Sequence, residues 1–171
     1  VGVEVDDDGK PTFVIHQGSA WDNLTWNDAI ASRIATVDAV YFGTLGQRDL
    51  VSRATIRRVV ETASRAGIPR ILDVNLRTPF FDAEMICTSV QLASILKLSD
   101  DELVEVCSAC NISKTDQPEG DLRGLLEFGN LDMVILTCGK AGAVLVTPDD
   151  TVTQNGISTN VIDTVGAGDA F

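Results

Sequence analysis

The sequence predicts an α/β domain with a mostly parallel sheet that helices cover on both faces. Short apolar runs alternate along the chain with segments in which apolar residues recur at helical spacing. The runs are apolar throughout, which is typical of strands that are buried on both faces of a sheet. The chain has 171 residues, of which 44% are hydrophobic, so residues 1–171 fit a single domain with a substantial core.

The first elements are predicted to be a hairpin, a helix and a strand. Residues 1–5 and 11–15 are strand-like and flank an Asp-Gly turn at 6–9. Residues 27–35 have helical spacing, and residues 37–42 form a short apolar strand.

The later elements continue this alternation. Asp49 begins a helix that runs to about Ala66, where Gly67 stops it. Ser99 is the N-cap of a later helix that runs to about residue 109, and Glu102 occupies the capping-box position. The other predicted elements are, in chain order, strand 71–74, helix 82–91, strand 94–98, helix 119–129, and strands 133–137 and 143–146 joined by a turn.

The composition excludes several classes of function. A formal net charge of −12 argues against a nucleic-acid surface, which needs a basic patch. No apolar run approaches the roughly 20 residues of a membrane span. Cys107 and Cys110 invite a zinc or redox interpretation. Their helical spacing and the lack of a second pair favour buried free thiols in a reducing cytosol instead. We therefore expect a cytoplasmic protein.

The most informative segment is Asp163-Thr-Val-Gly-Ala-Gly-Asp-Ala-Phe171. Gly166, Ala167 and Gly168 allow a tight turn that brings backbone N–H groups close to a bound anion. The apolar residues on either side predict a turn that opens a helix, whose N-terminus suits phosphate. Asp169 adds a carboxylate to this turn, which indicates a base that takes a proton from a hydroxyl as a phosphoryl group arrives.

A second polar cluster follows the predicted strand at 71–74. Asp73, Asn75 and Arg77 bring a carboxylate, an amide and a guanidinium group together in one loop. Arg77 suits a phosphate or another oxyanion because its planar fork matches such groups. A solvated loop with a local Asp–Arg pair is the alternative, and it stays open for Asp73 in particular.

The C-terminal segment resembles the signature of the ribokinase-like (PfkB) carbohydrate kinases at every position. The resemblance implies a ribokinase-like three-layer α/β/α fold with a mostly parallel sheet, and makes the hairpin at 1–15 a remnant of a β lid. It implies ATP-dependent phosphorylation of a sugar hydroxyl, most like fructokinase, with Mg²⁺ accompanying ATP. It covers nearly all of the chain but only the middle of the family's length, so we expect a central fragment that is inactive alone.

The resemblance also implies roles for individual residues. Asp169 is the catalytic base, and the N–H groups of Gly166, Ala167 and Gly168 stabilise the transferring group. Asp73, Asn75 and Arg77 lie beside the substrate and the transferred phosphate. The residues implied in nucleotide binding are Lys97, Ser99, Thr137, Gly139 and Gly142.

Metal placement is implied by the resemblance as well. Glu102 helps to place Mg²⁺ and its waters from the outer shell. Asp163 and Val165 hold a monovalent cation in relatives, and whether K⁺ activates this protein stays open. Ser99 stands where the family usually has Asn.

Several alternatives remain at the level of sequence. The substrate is fructose or, alternatively, 2-keto-3-deoxygluconate, ribose or a nucleoside, and a keto acid should need a second cation beside Arg77. A non-catalytic kinase-like protein for sugar sensing or protein interaction is the alternative from another class. Arg48 is a surface charge or part of a loop that resembles the family's sugar-site lining. We expect ATP and a small sugar as partners, with a homodimer through the lid left open.

Overall fold

The computed structural model describes residues 2–5, 11–159, 166–168 and 170–171, and for residues 3–5 and 11–13 it describes the backbone alone. The predicted turn at 6–9 lies outside the described residues, and so do Asp163, Val165 and Asp169. The predicted roles of these three residues are therefore not tested by the geometry below.

The two N-terminal strands form the predicted hairpin pairing. Strand β1 (Gly2–Val5) pairs with β2 (Pro11–Val14) in antiparallel register, with Gly2 opposite Val14. These strands make a two-stranded sheet of their own, separate from the main sheet.

A six-stranded sheet forms the centre of the described structure. Strands β3 to β6 run parallel, whereas β7 is antiparallel to β6 and β8 to β7. The prediction of a mostly parallel sheet is confirmed. The strands follow the same order in the sheet as in the chain: β3 Val40–Gly43, β4 Arg70–Asp73, β5 Ile95–Ser99, β6 Met133–Thr137, β7 Gly142–Val146 and β8 Thr151–Asn155.

Two of these strands differ from the sequence prediction. Strand β3 begins at Val40 and not at Val37, because the Val37 N–H donates to the Ile34 carbonyl and so continues the turn after the preceding helix. Strand β8 was not predicted. It lies at the edge of the sheet and is mostly exposed, so its polar sequence carries little of the apolar signal that marks a buried strand.

The helices begin and end close to the predicted positions. Asp49 caps the second helix by accepting from the Val51 N–H at 2.9 Å. Ser99 and Glu102 form the predicted capping box at the start of the fourth. The helices are α1 Asp28–Ile34, α2 Leu50–Arg65, α3 Ala83–Leu92, α4 Asp100–Ala109 and α5 Pro118–Gly129.

Helices α2 to α5 form one layer against a single face of the sheet. Successive helices of this set contact one another, as expected when right-handed crossovers join strands whose order in the sheet follows the chain. Strand residues that face the helices pack in the main core, among them the buried Leu72, Leu96 and Leu136. On the opposite face, Tyr41 is 60% exposed. The described residues thus supply the sheet and one helical layer of the predicted arrangement.

The described helices and cysteines bear on two further expectations. In the part of the chain that the structure describes, no helix is long and apolar enough to cross a membrane. Cys107 and Cys110 are buried free thiols, and burial raises their pKa values to about 11 and about 12. Both thiols are therefore protonated at neutral pH.

Within the described ranges, no group of three or more His, Cys, Asp or Glu residues is arranged to hold a metal ion.

Candidate active site

The carboxyl ends of the parallel strands meet at one edge of the sheet, and most of the predicted site residues lie there. Asp73 ends β4, Ser99 ends β5 and Thr137 ends β6, with Ser99 and Thr137 directly paired in register. Open parallel sheets bind their ligands at this edge. The fold therefore gathers residues that are more than 60 positions apart in the sequence.

Asp73 and Lys97 form an ion pair on the face of the sheet opposite the helices. Their strands place them side by side in register, and Lys97 Nζ lies 2.7 Å from Asp73 Oδ2. The Tyr41 hydroxyl donates to the same oxygen at 2.6 Å. Asp73 is 3% exposed. The two residues for which the resemblance implied separate roles are thus direct partners here.

The loop after β4 is held by a hydrogen bond from its centre to α4. Asn75 has a φ of +44°, a left-handed conformation that Asn tolerates better than most residues. The Leu76 N–H donates to Glu102 Oε1 at 2.7 Å. Arg77 Nη1 donates to the Leu76 carbonyl at 2.9 Å. The backbone that carries Asn75 and Arg77 is therefore fixed by a residue 26 positions away.

Glu102 has structural partners on both of its oxygens. Oε2 accepts from the Ser99 N–H at 2.9 Å and from the Ser99 hydroxyl at 2.8 Å, while Oε1 takes the Leu76 N–H. A carboxylate has about four lone-pair sites, so Oε1 keeps capacity for one further donor. The outer-shell role at Mg²⁺ is compatible with this geometry and stays a prediction.

The turn between β6 and β7 is a short 3-10 helix bounded by glycines. Gly139 and Gly142 have φ values of +50° and +112°, as the predicted glycine turn requires. The Cys138 N–H donates to the Gly142 carbonyl at 2.8 Å. A side chain at Gly142 would collide with the backbone of Gln154, so glycine is needed there. Thr137 donates to the Leu98 carbonyl at the long distance of 3.4 Å.

The described part of the C-terminal signature is a turn. Gly166, Ala167 and Gly168 are exposed, and Gly166 has a φ of +76°. The Ala170 N–H donates to the Gly166 carbonyl at 2.9 Å, which is the hydrogen bond of one helical turn. The predicted anion-binding turn has a suitable backbone, and its assignment stays a prediction.

Arg48 is not a surface charge, which corrects one of the two sequence interpretations. Its side chain is 6% exposed. Nε and Nη2 donate to the two carboxylate oxygens of Asp22 at 2.7 and 2.8 Å, and Nη2 also donates to the His16 carbonyl at 2.6 Å. The guanidinium lies over the rings of Trp21 and Phe80, 5.5 and 4.8 Å from their centroids.

The electrostatics of this pair follow from its geometry. The hydrogen bond from Arg48 lowers the pKa of Asp22, and the same hydrogen bond raises the pKa of Arg48. Both groups are therefore charged over the ordinary pH range. Sequence reasoning missed Asp22, since a carboxylate and a guanidinium 26 positions apart leave no local pattern.

Comparison with known proteins was made by family, by sequence and by structure. The family model described as pfkB family carbohydrate kinase matches residues 2–171. The aminoimidazole riboside kinase of Salmonella typhimurium is 32% identical over 136 residues, covering 77% of this chain and 40% of the relative. The ATP-dependent 6-phosphofructokinase of Thermoanaerobacterium thermosaccharolyticum is 26% identical over 167 residues, covering 95% of this chain and 49% of the relative. The chain spans about half the length of the curated relatives it matches.

Solved structures share the fold at lower identity. A fructokinase from Xylella fastidiosa, solved with bound ATP, matches with a TM-score of 0.80 and 19% identity, covering 98% of this chain and 52% of that one. An E. coli protein assigned as a ribokinase II, solved with ATP and Mg²⁺, matches with a TM-score of 0.70 and 19% identity, covering 81% and 44%. The predicted ribokinase-like fold class is confirmed.

Proposed function

Because the chain belongs to the pfkB family of carbohydrate kinases, we propose that the protein transfers the γ-phosphoryl group of ATP to a hydroxyl of a small sugar, with fructose as the first candidate. The observation that carries the proposal is the loop of Asn75 and Arg77, which Glu102 holds at the carboxyl edge of the sheet through the Leu76 N–H. An amide and a guanidinium carried on a backbone that is held at this edge suit a sugar and a phosphoryl group.

The signature at 163–171 supplies the proposed base and the proposed anion site. Asp169 accepts the proton of the attacking hydroxyl, so that the oxygen gains nucleophilic character as the phosphoryl group is transferred. The N–H groups of Gly166, Ala167 and Gly168 stabilise the charge on the transferring group with fixed dipoles. Asn75 and Arg77 orient the sugar and the phosphate. Asp73 contributes through the ion pair that fixes Lys97 at the strand end.

The remaining proposed residues serve the nucleotide and its cations. Thr137, Gly139 and Gly142 form the turn that approaches the nucleotide phosphates, next to Lys97 and Ser99. Mg²⁺, when bound with ATP, neutralises charge on the phosphates. Glu102 would suit its outer shell because Oε1 keeps acceptor capacity that a metal-bound water could use. Asp163 and Val165 are the proposed ligands of a monovalent cation such as K⁺.

The experiment is an ATP-consumption assay on the full-length polypeptide that contains this chain. Fructose, ribose, 2-keto-3-deoxygluconate and nucleosides are compared with Mg²⁺, with and without K⁺. Asp169→Asn should lower kcat by about 10²–10⁴-fold, the usual cost of losing a positioned base, and should leave ATP binding largely intact. A variant that keeps most of its kcat rules out the base. Sugar or ATP binding without turnover on any sugar favours the non-catalytic alternative.

A riboside is the second candidate acceptor, and one specific comparison favours it. The relative that reaches 32% identity is named as an aminoimidazole riboside kinase. Turnover of ribosides in preference to fructose in the same assay would select this candidate. We also propose a cytoplasmic location, in keeping with four free cysteines, and a homodimer through the hairpin, for which light scattering of the full-length protein is the test.

A further inference from the structure

Tyr41 reaches from β3 to a buried carboxylate on the neighbouring strand. In the register of β3 and β4, Gly43 lies opposite Asp73, and Tyr41 precedes Gly43 by two positions. Tyr41 and Asp73 are therefore diagonal neighbours on the same face of the sheet, because alternate residues of a strand point to one face. Such neighbours are within reach of aromatic side chains. The Tyr41 hydroxyl donates to Asp73 Oδ2 at 2.6 Å, so the strand pairing places a phenol directly on this carboxylate.

A glycine keeps the space beside Asp73 clear for this contact. A side chain at Gly43 would begin 3.0 Å from the Asp73 carbonyl oxygen, which is closer than atoms pack at their optimal separation. It would also project from the same face of the sheet as the Tyr41 ring. Gly43 thus allows the ring to lie along the strand while its hydroxyl reaches the carboxylate.

The hydroxyl of Tyr41 is the group that meets the buried part of the sheet. Tyr41 is 60% exposed, whereas Asp73 is 3% exposed. A ring that stays more than half exposed stabilises the described structure little through apolar burial. A short hydrogen bond to a carboxylate is a charge-assisted contact, which is roughly twice as strong as a neutral one. The main contribution of Tyr41 in the described structure is therefore its effect on Asp73.

Asp73 Oδ2 is shared between Tyr41 and Lys97. Lys97 Nζ lies 2.7 Å from the same oxygen. The Tyr41 O–H dipole points its positive end at Oδ2, so it reduces the attraction that this oxygen exerts on the Lys97 ammonium. An ammonium has three donors, and among the described residues Asp73 is the acceptor of one of them. Lys97 thus keeps donors and part of its charge for a second anionic group.

We propose that Tyr41 is a positioning residue for the nucleotide: its hydroxyl holds Asp73 and weakens the grip of that carboxylate on Lys97, so that Lys97 shares its charge with the phosphates of ATP. The inference rests on the proposed function, in which Lys97 lies next to those phosphates. Tyr41 acts here through Asp73 and not by contact with ATP. Without the hydroxyl, Asp73 would draw Lys97 more strongly and present more negative charge to the phosphates, and both effects weaken ATP binding.

Tyr41→Phe removes the hydroxyl and keeps the ring, so it tests the hydrogen bond alone. In the full-length polypeptide the KM for ATP should rise about 3–10-fold, as expected for one charge-assisted hydrogen bond that acts through a neighbour. The KM for the sugar should stay within about twofold and kcat within about threefold of the unaltered protein. Isothermal titration calorimetry should show Mg²⁺-ATP binding weakened by the same factor as the KM. An unchanged KM for ATP, or a rise of both KM values together, overturns the proposal.

Thr44→Val is the matched control, since it also removes one hydroxyl at the end of β3. The Thr44 hydroxyl donates to the Val74 carbonyl at 2.8 Å, so it ties the same two strand ends through the backbone and not through the Asp73 carboxylate. Its loss should lower Tm, because a buried carbonyl loses its donor, and should leave the ratio of the two KM values unchanged. A selective rise in the KM for ATP in this control would assign the effect to the strand ends in general and would overturn the proposal.

Asp73→Asn separates an indirect from a direct role of Tyr41. The amide carries no charge that Tyr41 and Lys97 could share. Adding Tyr41→Phe to Asp73→Asn should therefore change the affinity for ATP by less than about twofold. An effect as large as in the unaltered background would mean that Tyr41 contacts the nucleotide itself, and the positioning role would be wrong.

The behaviour of the unaltered polypeptide separates this inference from the proposed function. If it binds Mg²⁺-ATP but phosphorylates no sugar, the proposed function fails, and calorimetry on the variants still decides the role of Tyr41. If it phosphorylates a sugar and Tyr41→Phe behaves as Thr44→Val does, the proposed function stands and the inference fails. If it binds no ATP, both fail.

Discussion

The Asp73–Lys97 pair and the Asp22–Arg48 pair are both short and largely buried, but different kinds of structure hold them. Asp73 and Lys97 stand opposite each other on neighbouring parallel strands, so the backbone ladder brings them together whether or not they attract. Asp22 ends a short 3-10 helix and Arg48 directly follows another, and no ladder joins those two turns. The Asp22–Arg48 pair (the loop pair) must therefore help to hold the segments around it in place. The Asp73–Lys97 pair (the strand pair) is instead positioned by the backbone pairing of its strands.

This difference predicts that the loop pair matters more for stability and the strand pair more for function. Removing one partner of a buried ion pair leaves the other charge uncompensated. At Asp22–Arg48 this also releases the rings of Trp21 and Phe80 that pack on the guanidinium. At Asp73–Lys97 the strands remain paired through their backbones, so the damage stays local.

The largest effect is expected for Arg48→Met, which should lower Tm by on the order of 10 °C, because the buried Asp22 carboxylate loses its cationic partner. Thermal unfolding followed by circular dichroism measures it. Arg57→Met is the matched control: Arg57 pairs with Glu84, whose side chain is 62% exposed, and exposed pairs contribute little. Arg48→Met combined with Asp22→Leu should recover much of the loss, since a hydrophobic pair can replace a buried ion pair. Equal Tm values for Arg48→Met and Arg57→Met would contradict this account.

A smaller stability loss is expected for Lys97→Met, at roughly half that of Arg48→Met, because the strand register and the Tyr41 hydroxyl still hold Asp73. Turnover should be the more sensitive readout and should fall by about 10–100-fold, because the variant removes the cation that we propose next to the nucleotide phosphates. ATP-coupled kinetics and thermal unfolding of the same variant measure the two effects. A Tm loss larger than that of Arg48→Met, with kcat unchanged, would reverse the proposed contrast.

The same contrast explains how far the sequence could be interpreted. The strand ends, the cap at Asp49 and the capping box of Ser99 and Glu102 were predictable, because each depends on residues within a few positions of one another. Strand β8 was not, since a polar edge strand needs only a neighbouring strand to pair with. Asp22 was missed and Arg48 was left between two interpretations because their partnership depends on the tertiary fold.

Glu102 shows that even a predicted residue can have an unpredicted partner. Its capping box was visible in the sequence, but its hydrogen bond from the Leu76 N–H joins positions 26 residues apart. A local pattern therefore identified the residue and half of its contacts. The contact that holds the Asn75–Arg77 loop depends on how α4 packs against the end of β4.

The smallest change in Tm is expected when the hydrogen bond between the Leu76 N–H and Glu102 is removed. This hydrogen bond is a long-range contact within the strand-end region. Glu102→Ala should lower Tm by about 2–4 °C, the effect of losing a cap worth about 1 kcal/mol in a chain of this size. Amide exchange of Leu76 should become at least about tenfold faster, since its N–H loses a 2.7 Å acceptor. Ser99→Ala is the control: it removes the Ser99 hydroxyl but leaves the Leu76 acceptor in place, so it should lower Tm without changing the exchange at Leu76. Unchanged exchange in Glu102→Ala would mean that the loop is held by the strand ladder alone, and the two regions would then differ more sharply than we propose.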